Sequence, residues 1–116
     1  FYEKGRAVRR DYKVALDWYH RAAELKYPAA YTALGFLYLE GRGTARDPAT
    51  AAKWFRKAAG KGHARGHYGL AQLFETGKGL ERDMEAAALH YKRAAAKGYG
   101  RAKRRLRALS ISARTL

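Results

Sequence analysis

One segment of this chain recurs at a fixed interval of 36 residues, and that recurrence limits the fold more than any other feature. Gly41 to Gly62 reads GRGTARDPATAAKWFRKAAGKG, and Gly77 to Gly98 reads GKGLERDMEAAALHYKRAAAKG. Gly5 to Lys26, GRAVRRDYKVALDWYHRAAELK, stands the same distance upstream. A repeat of roughly 20–50 residues with helical patterning inside it marks stacked helix pairs: one unit cannot bury its apolar face alone, so neighbours share a continuous core. The chain is therefore expected to be all-α, an α-solenoid of antiparallel helix pairs, with about three repeats over residues 1–109 and a tail over 110–116.

The second helix of each pair carries a stripe of small residues around one aromatic: Ala51, Ala52, Phe55, Ala58 and Ala59, then Ala87, Ala88, Tyr91, Ala94 and Ala95. Ala15, Tyr19, Ala22 and Ala23 are the expected equivalent in the first copy. Asp11, Asp47 and Asp83 are expected to cap these helices by accepting from free first-turn N–H groups, and Pro48 suits a first helical position. Gly62 and Gly98 end two of them; Lys26, followed by Pro28, predicts a differently closed turn. The alternate helices run about Pro28 to Glu40, Ala64 to Thr76 and Gly100 to Leu109, with Leu34, Leu37, Tyr38, Leu70, Leu73 and Phe74 as core. Thr44, Leu80 and Val8 share a loop column expected to tuck inward. Phe1, Tyr2 and Gly5 read as the end of an earlier helix, Arg6 to Arg10 as the loop after it. Arg107 and Ser110 suit a polar last helix, and Ser110 to Leu116 shows no pattern.

The spaced residues Ala30, Ala33, Leu34, Gly35, Tyr38, Gly41, Gly43, Asp47, Ala51, Trp54, Phe55, Ala58, Ala59 and Gly62 resemble the Sel1-like repeat, a relative of the tetratricopeptide repeat. The third copy carries the same pattern with His90 in place of the tryptophan, and Ala7 and Lys26 depart from it in the first. The resemblance implies a right-handed superhelix acting as a protein–protein adaptor, with no shared catalytic residues and no cofactor. Relatives occur in bacterial periplasm and surfaces and in eukaryotic membrane-associated complexes; the composition favours a bacterial source and leaves the compartment open.

The 116 residues contain no cysteine, which removes disulfides, thiolate metal sites and thiol chemistry. The net charge of +15 favours an acidic partner. In stacked helix pairs the first helix of each pair lines the inner face. The columns there are Ala29, Arg65 and Arg101; Thr32, Tyr68 and Arg104; Ala33, Gly69 and Arg105; Phe36, Gln72 and Ala108; and Leu39 with Glu75. Thr32, Phe36, Arg65, Tyr68, Gln72, Arg101, Arg104 and Arg105 are the expected contacts for a protein or peptide bearing acidic groups.

Two other readings stand beside this one. Arg101, Lys103, Arg104, Arg105 and Arg107 suit nucleic acid or an acidic polysaccharide through sequence-independent charge contacts. Alternatively, the repeats stack end to end, as a homo-oligomer or a spacer. His63 and His67, four apart, share a helix face but lack further ligands for a metal. His90 reads as a packing residue, and the GxG loops lack the lysine and hydroxyl of a phosphate-binding loop. No enzymatic constellation emerges.

Overall fold

The computed structural model describes the backbone of residues 2–115 and the side chains of residues 11–110. Six helices follow in order: α1 (Tyr2–Glu24), α2 (Pro28–Glu40), α3 (Pro48–Gly60), α4 (Ala64–Thr76), α5 (Met84–Ala96) and α6 (Gly100–Thr115). No strand occurs among the described residues. Each helix packs on its chain neighbours, and α2 also lies directly against α4. The chain is an α-solenoid of helix pairs, elongated at 50 × 33 × 25 Å.

Local chemistry sets most helix ends. Asp47 and Asp83 head α3 and α5, their carboxylates accepting from the N–H groups of Thr50 and Ala86, each at 3.1 Å. The Thr50 hydroxyl also donates to Asp47 at 2.7 Å. Gly43 and Gly79 turn at φ of 76° and 73°. A side chain there would strike the backbone of the preceding second helix, at Tyr12 O for Gly43. The loop is then pinned by Asp47 N–H to Tyr38 O at 2.8 Å, and by Asp83 N–H to Phe74 O at 2.9 Å.

Packing between units centres on Phe55. A methyl carbon placed on Gly35 of α2 or Gly69 of α4 would run into its ring, at 2.6 Å in the case of Gly69. Two glycines from consecutive first helices thus hold one ring between them, while Ala51, Ala52, Ala58 and Ala59 bury the rest of the α3 stripe. Leu34, Leu37, Leu70 and Leu73 are buried as the leucine columns require, and Leu80 packs partly buried on the same core.

The first copy departs from expectation. The α1 helix is continuous from Tyr2, so there is no loop at residues 6–10 and Asp11 lies inside a helix rather than capping one. The physical reason is Ala7: it stands where Gly43 and Gly79 take positive φ, a conformation costly to alanine, and its neighbours are good helix formers. The expected inward packing of Val8 lies outside the described side chains. Tyr19 is 39% exposed where Phe55 and Tyr91 are 0% and 1%. Phe55 is flanked by the first helices α2 and α4, whereas among the described residues α2 is the one first helix packed against α1.

Lys26 also corrects the sequence reading. It closes its turn as the glycines do, at φ 65° against 77° for Gly62 and 88° for Gly98. The C-terminal segment differs too: α6 runs through Thr115 rather than ending near Leu109. Arg107 and Ser110 lie exposed on it, as their polarity demands.

Candidate functional site

The columns expected on the inner face lie on the first helices α2, α4 and α6, and their charge gathers at the α4–α6 end. Arg65, Tyr99, Gly100, Arg101 and Arg104 line a hollow of about 470 Å³. Tyr68, Arg101, Arg104, Arg105 and Ala108 line an adjoining one of about 360 Å³, and the two share Arg101 and Arg104. No carboxylate lines either. Gly100 opens α6, so the positive end of that helix dipole faces the first hollow.

Aromatic side chains form the floor. Tyr68 packs at 5.0 Å between ring centres from Tyr99 and at 5.7 Å from Tyr91. Its hydroxyl accepts from Gln72 Nε2 at 3.2 Å. The Arg65 guanidinium lies 4.9 Å above the Phe36 ring, which meets Phe55 edge-on. The arginine thereby rests on an aromatic platform, and among the described residues no carboxylate pairs with it.

Arg105 is held differently. Its guanidinium pairs with Glu75, Nε donating to Oε1 at 2.9 Å, and the Tyr91 hydroxyl donates to the same oxygen at 2.7 Å. The Arg105 bond, with a smaller contribution from Tyr91, holds the Glu75 carboxyl below its ordinary value against the opposing effect of burial. Burial, reinforced by the Glu75 carboxylate, pushes the Tyr91 hydroxyl up. Arg105 therefore presents less free charge to a partner than Arg101 or Arg104.

Of the eight expected contacts, the structure brings Arg65, Tyr68, Arg101, Arg104 and Arg105 to the two hollows, with Phe36 beneath Arg65 and Gln72 beside Tyr68. Thr32 is a correction: it is 1% exposed, and its hydroxyl bonds His63 Nδ1 at 2.7 Å. It lies in the seam between units, against the residue that precedes α4. Gly69 likewise meets Phe55 instead of the groove. Tyr99 joins the site without having been singled out for it, and Glu75, expected in an inner-face column, was not among the expected contacts. The signal for Glu75 was the change from Phe55 to Tyr91 in one column, since a buried hydroxyl needs a partner.

His63 and His67 do not converge. His63 turns to Thr32, whereas His67 Nδ1 lies 2.9 Å from His90 Nδ1. Among the described residues no three His, Cys, Asp or Glu side chains are grouped to hold a metal. Nor is any helix among them long and apolar enough to cross a membrane.

Comparison with known proteins places this geometry. The Sel1 repeat matches residues 1–27, 28–63 and 64–99, so the unit boundaries fall at the starts of α2, α4 and α6. A Sel1 repeat protein from Oxalobacter formigenes superposes with a TM-score of 0.74 at 31% identity, over 76% of this chain and 35% of that one. A protective antigen, c5321, of uropathogenic Escherichia coli strains gives 0.73 at 38% identity, over 75% and 19%. Helicobacter pylori cysteine rich protein B gives 0.71 at 25%, over 75% and 65%. The chain thus spans less than two thirds of each of these bacterial proteins. No curated protein matches it. Sel1 repeats are generally non-catalytic scaffolds for protein interaction. With three matched units covering most of its length, the chain belongs to the Sel1 repeat family.

Proposed function

We propose that this chain is an interaction scaffold, not an enzyme, and that its inner surface takes an acidic peptide segment of a partner protein. The observation that carries the reading is the meeting of Arg65, Arg101 and Arg104 around one hollow that no carboxylate lines. Guanidinium forks bind carboxylates bidentately, and the positive end of α6 adds to the attraction. Tyr68 and Tyr99 supply an apolar floor for a side chain or for peptide backbone. The test is calorimetric titration of a Glu-rich peptide with an aromatic residue against its Gln-substituted twin. Binding of the acidic peptide alone, weakened several-fold by Arg101→Glu or Tyr68→Ala, supports the reading. Equal binding of the twin, or indifference to Arg101→Glu, rejects it.

Random duplex DNA is the second arm of that experiment. Binding that falls linearly with the logarithm of salt and ignores Tyr68 favours a polyanion instead. Self-association has its own observation: Val14, Trp18 and Tyr19 of α1 are exposed, Trp18 at 62%. A mass that rises with concentration, and falls back in Trp18→Lys, supports end-to-end pairing of two copies.

A further inference from the structure

A third cleft lies apart from those two hollows, in the seam where α3, α4 and α5 meet. In the preceding unit the corresponding seam is closed by Trp54. Its ring stacks on Tyr31 at 5.8 Å and meets His20 edge-on at 5.6 Å, and His20 bonds the Tyr38 hydroxyl at 3.1 Å. One unit later the four places are held by His90, His67, Arg56 and Phe74. The smaller imidazole does not fill the tryptophan's volume. What remains is a cleft of about 260 Å³ lined by Arg56, His67, Leu70, Phe74, His90 and Arg93 among others. His90 stacks on Phe74 at an interplanar angle of 7° and on His67 at 28°.

Every polar side chain at this cleft is a nitrogen donor or an imidazole. The charged or titratable neighbours acting on the two histidines are all basic: Arg56 from α3, His63 just before α4, Arg93 from α5 and Lys97 just after it. No carboxylate balances them. That surplus repels a metal cation and attracts an anion.

The contact between the imidazoles adds a second property. A 2.9 Å Nδ1–Nδ1 approach requires one ring to donate and the other to accept. In the neutral pair the acceptor ring carries its proton on Nε2, and the donor ring has a bare Nε2. One added proton on that bare nitrogen creates a second Nε2–H donor without breaking the shared bond. A second added proton has only the shared nitrogen left to occupy and would break it. The pair is therefore built to take up a single proton. Burial and the flanking cations push His90 down to about 4 and His67 below its ordinary value. At neutral pH the empty pair is uncharged, and a bound anion reverses the cationic penalty.

We propose that the cleft formed by Arg56, His67, His90 and Arg93 binds a tetrahedral oxyanion, free phosphate or a phosphate monoester, with uptake of one proton by the histidine pair. The two arginines grip the oxygens at the mouth and the Nε2 hydrogens reach them from below, while Phe74 and Leu70 exclude water from the floor.

The test follows the imidazole C–H resonances of all four histidines by NMR, titrating first with sulfate, whose charge stays constant over the range used, against chloride at equal ionic strength. A saturable shift of His67 and His90 that spares His20 supports the site, as does an affinity that strengthens when the pH is lowered from neutral. Arg56→Gln and Arg93→Gln should each weaken it several-fold. His90→Trp, which restores the filling residue of the preceding unit, should abolish the response at His67 with the helical circular dichroism unchanged. Phosphate and phosphoserine then separate the sources: tighter binding of phosphate marks the free ion, tighter binding of phosphoserine a modified side chain. Unsaturable drift of all four histidines, pH-independent affinity, or a response that survives in His90→Trp overturns the proposal.

Discussion

The Tyr91 hydroxyl donates to Glu75 Oε1 at 2.7 Å, joining the second helix of the last complete unit to the end of α4. That bond fixes a carboxylate, which in turn fixes Arg105 of α6. Glu75→Gln leaves the Tyr91 and Arg105 hydrogen bonds without their charged acceptor, and we expect a loss of about 1 kcal/mol of unfolding free energy. The sign with pH follows from the depressed Glu75 value. Its contribution is present above the ordinary carboxylate range and lost as pH falls through the folded value. The deficit of Glu75→Gln against the parent, measured by urea unfolding, should therefore shrink in acid.

Lys26 occupies the left-handed region at φ 65°, where a Cβ is costly. Lys26→Gly should stabilise the chain by up to about 1 kcal/mol, because the strain removed, about 1–2 kcal/mol, exceeds the added chain entropy of glycine, about 0.4–1 kcal/mol. The measurement is thermal unfolding by circular dichroism. An unchanged or lowered midpoint would show that Lys26 sits there without strain.

Gly69→Ala pushes a methyl group into the Phe55 ring, which Gly35 prevents from retreating on the other side. The expected cost is about 1–3 kcal/mol. A companion variant, Gly60→Ala, meets nothing within 4 Å and should be neutral or slightly stabilising.

The three aspartates at one repeat position should behave differently. Asp47→Ala removes two hydrogen bonds at the head of α3 and should lower stability the most of the three. Asp83→Ala should cost a smaller amount. Asp11→Ala should cost nothing, since Asp11 lies within α1 and alanine is the better helix former. Chemical unfolding of the three variants side by side checks the order.

His90 titrates near 4 in the fold against an ordinary value of 6.5. The unfolded chain takes up a proton below about 6.5 that the folded chain refuses, so stability should fall as pH drops from 6.5 to 4. His90→Trp removes that group and fills the cleft. Its melting temperature should exceed the parent's, by a margin that widens through the same pH window.

The repeat period, the leucine columns, the aspartate caps at α3 and α5 and the turn glycines were all legible before any coordinates, because each depends on residues within one or two helical turns. So was the gathering of Arg65, Arg101 and Arg104, which follows from their spacing once helices stack at one period. The same logic misled at Asp11 and at Lys26. Periodicity assigns equal roles to equal positions, yet Ala7 changes which backbone conformation is cheap, and a lysine can be forced where glycine is preferred.

What only the tertiary structure decided are the contacts that cross between helices. Thr32 looked like a groove residue and lies buried on His63; Arg105 looked free and is tied to Glu75. His67 turned to His90 instead of His63. In each case the deciding quantity is how far one helix is rotated about its axis against the next. A rotation of one residue position carries a side chain from the open face to the seam. The 36-residue recurrence determines that helices stack and in what order, and leaves that rotation free. Packing sets it, chiefly through the Phe55 ring between Gly35 and Gly69.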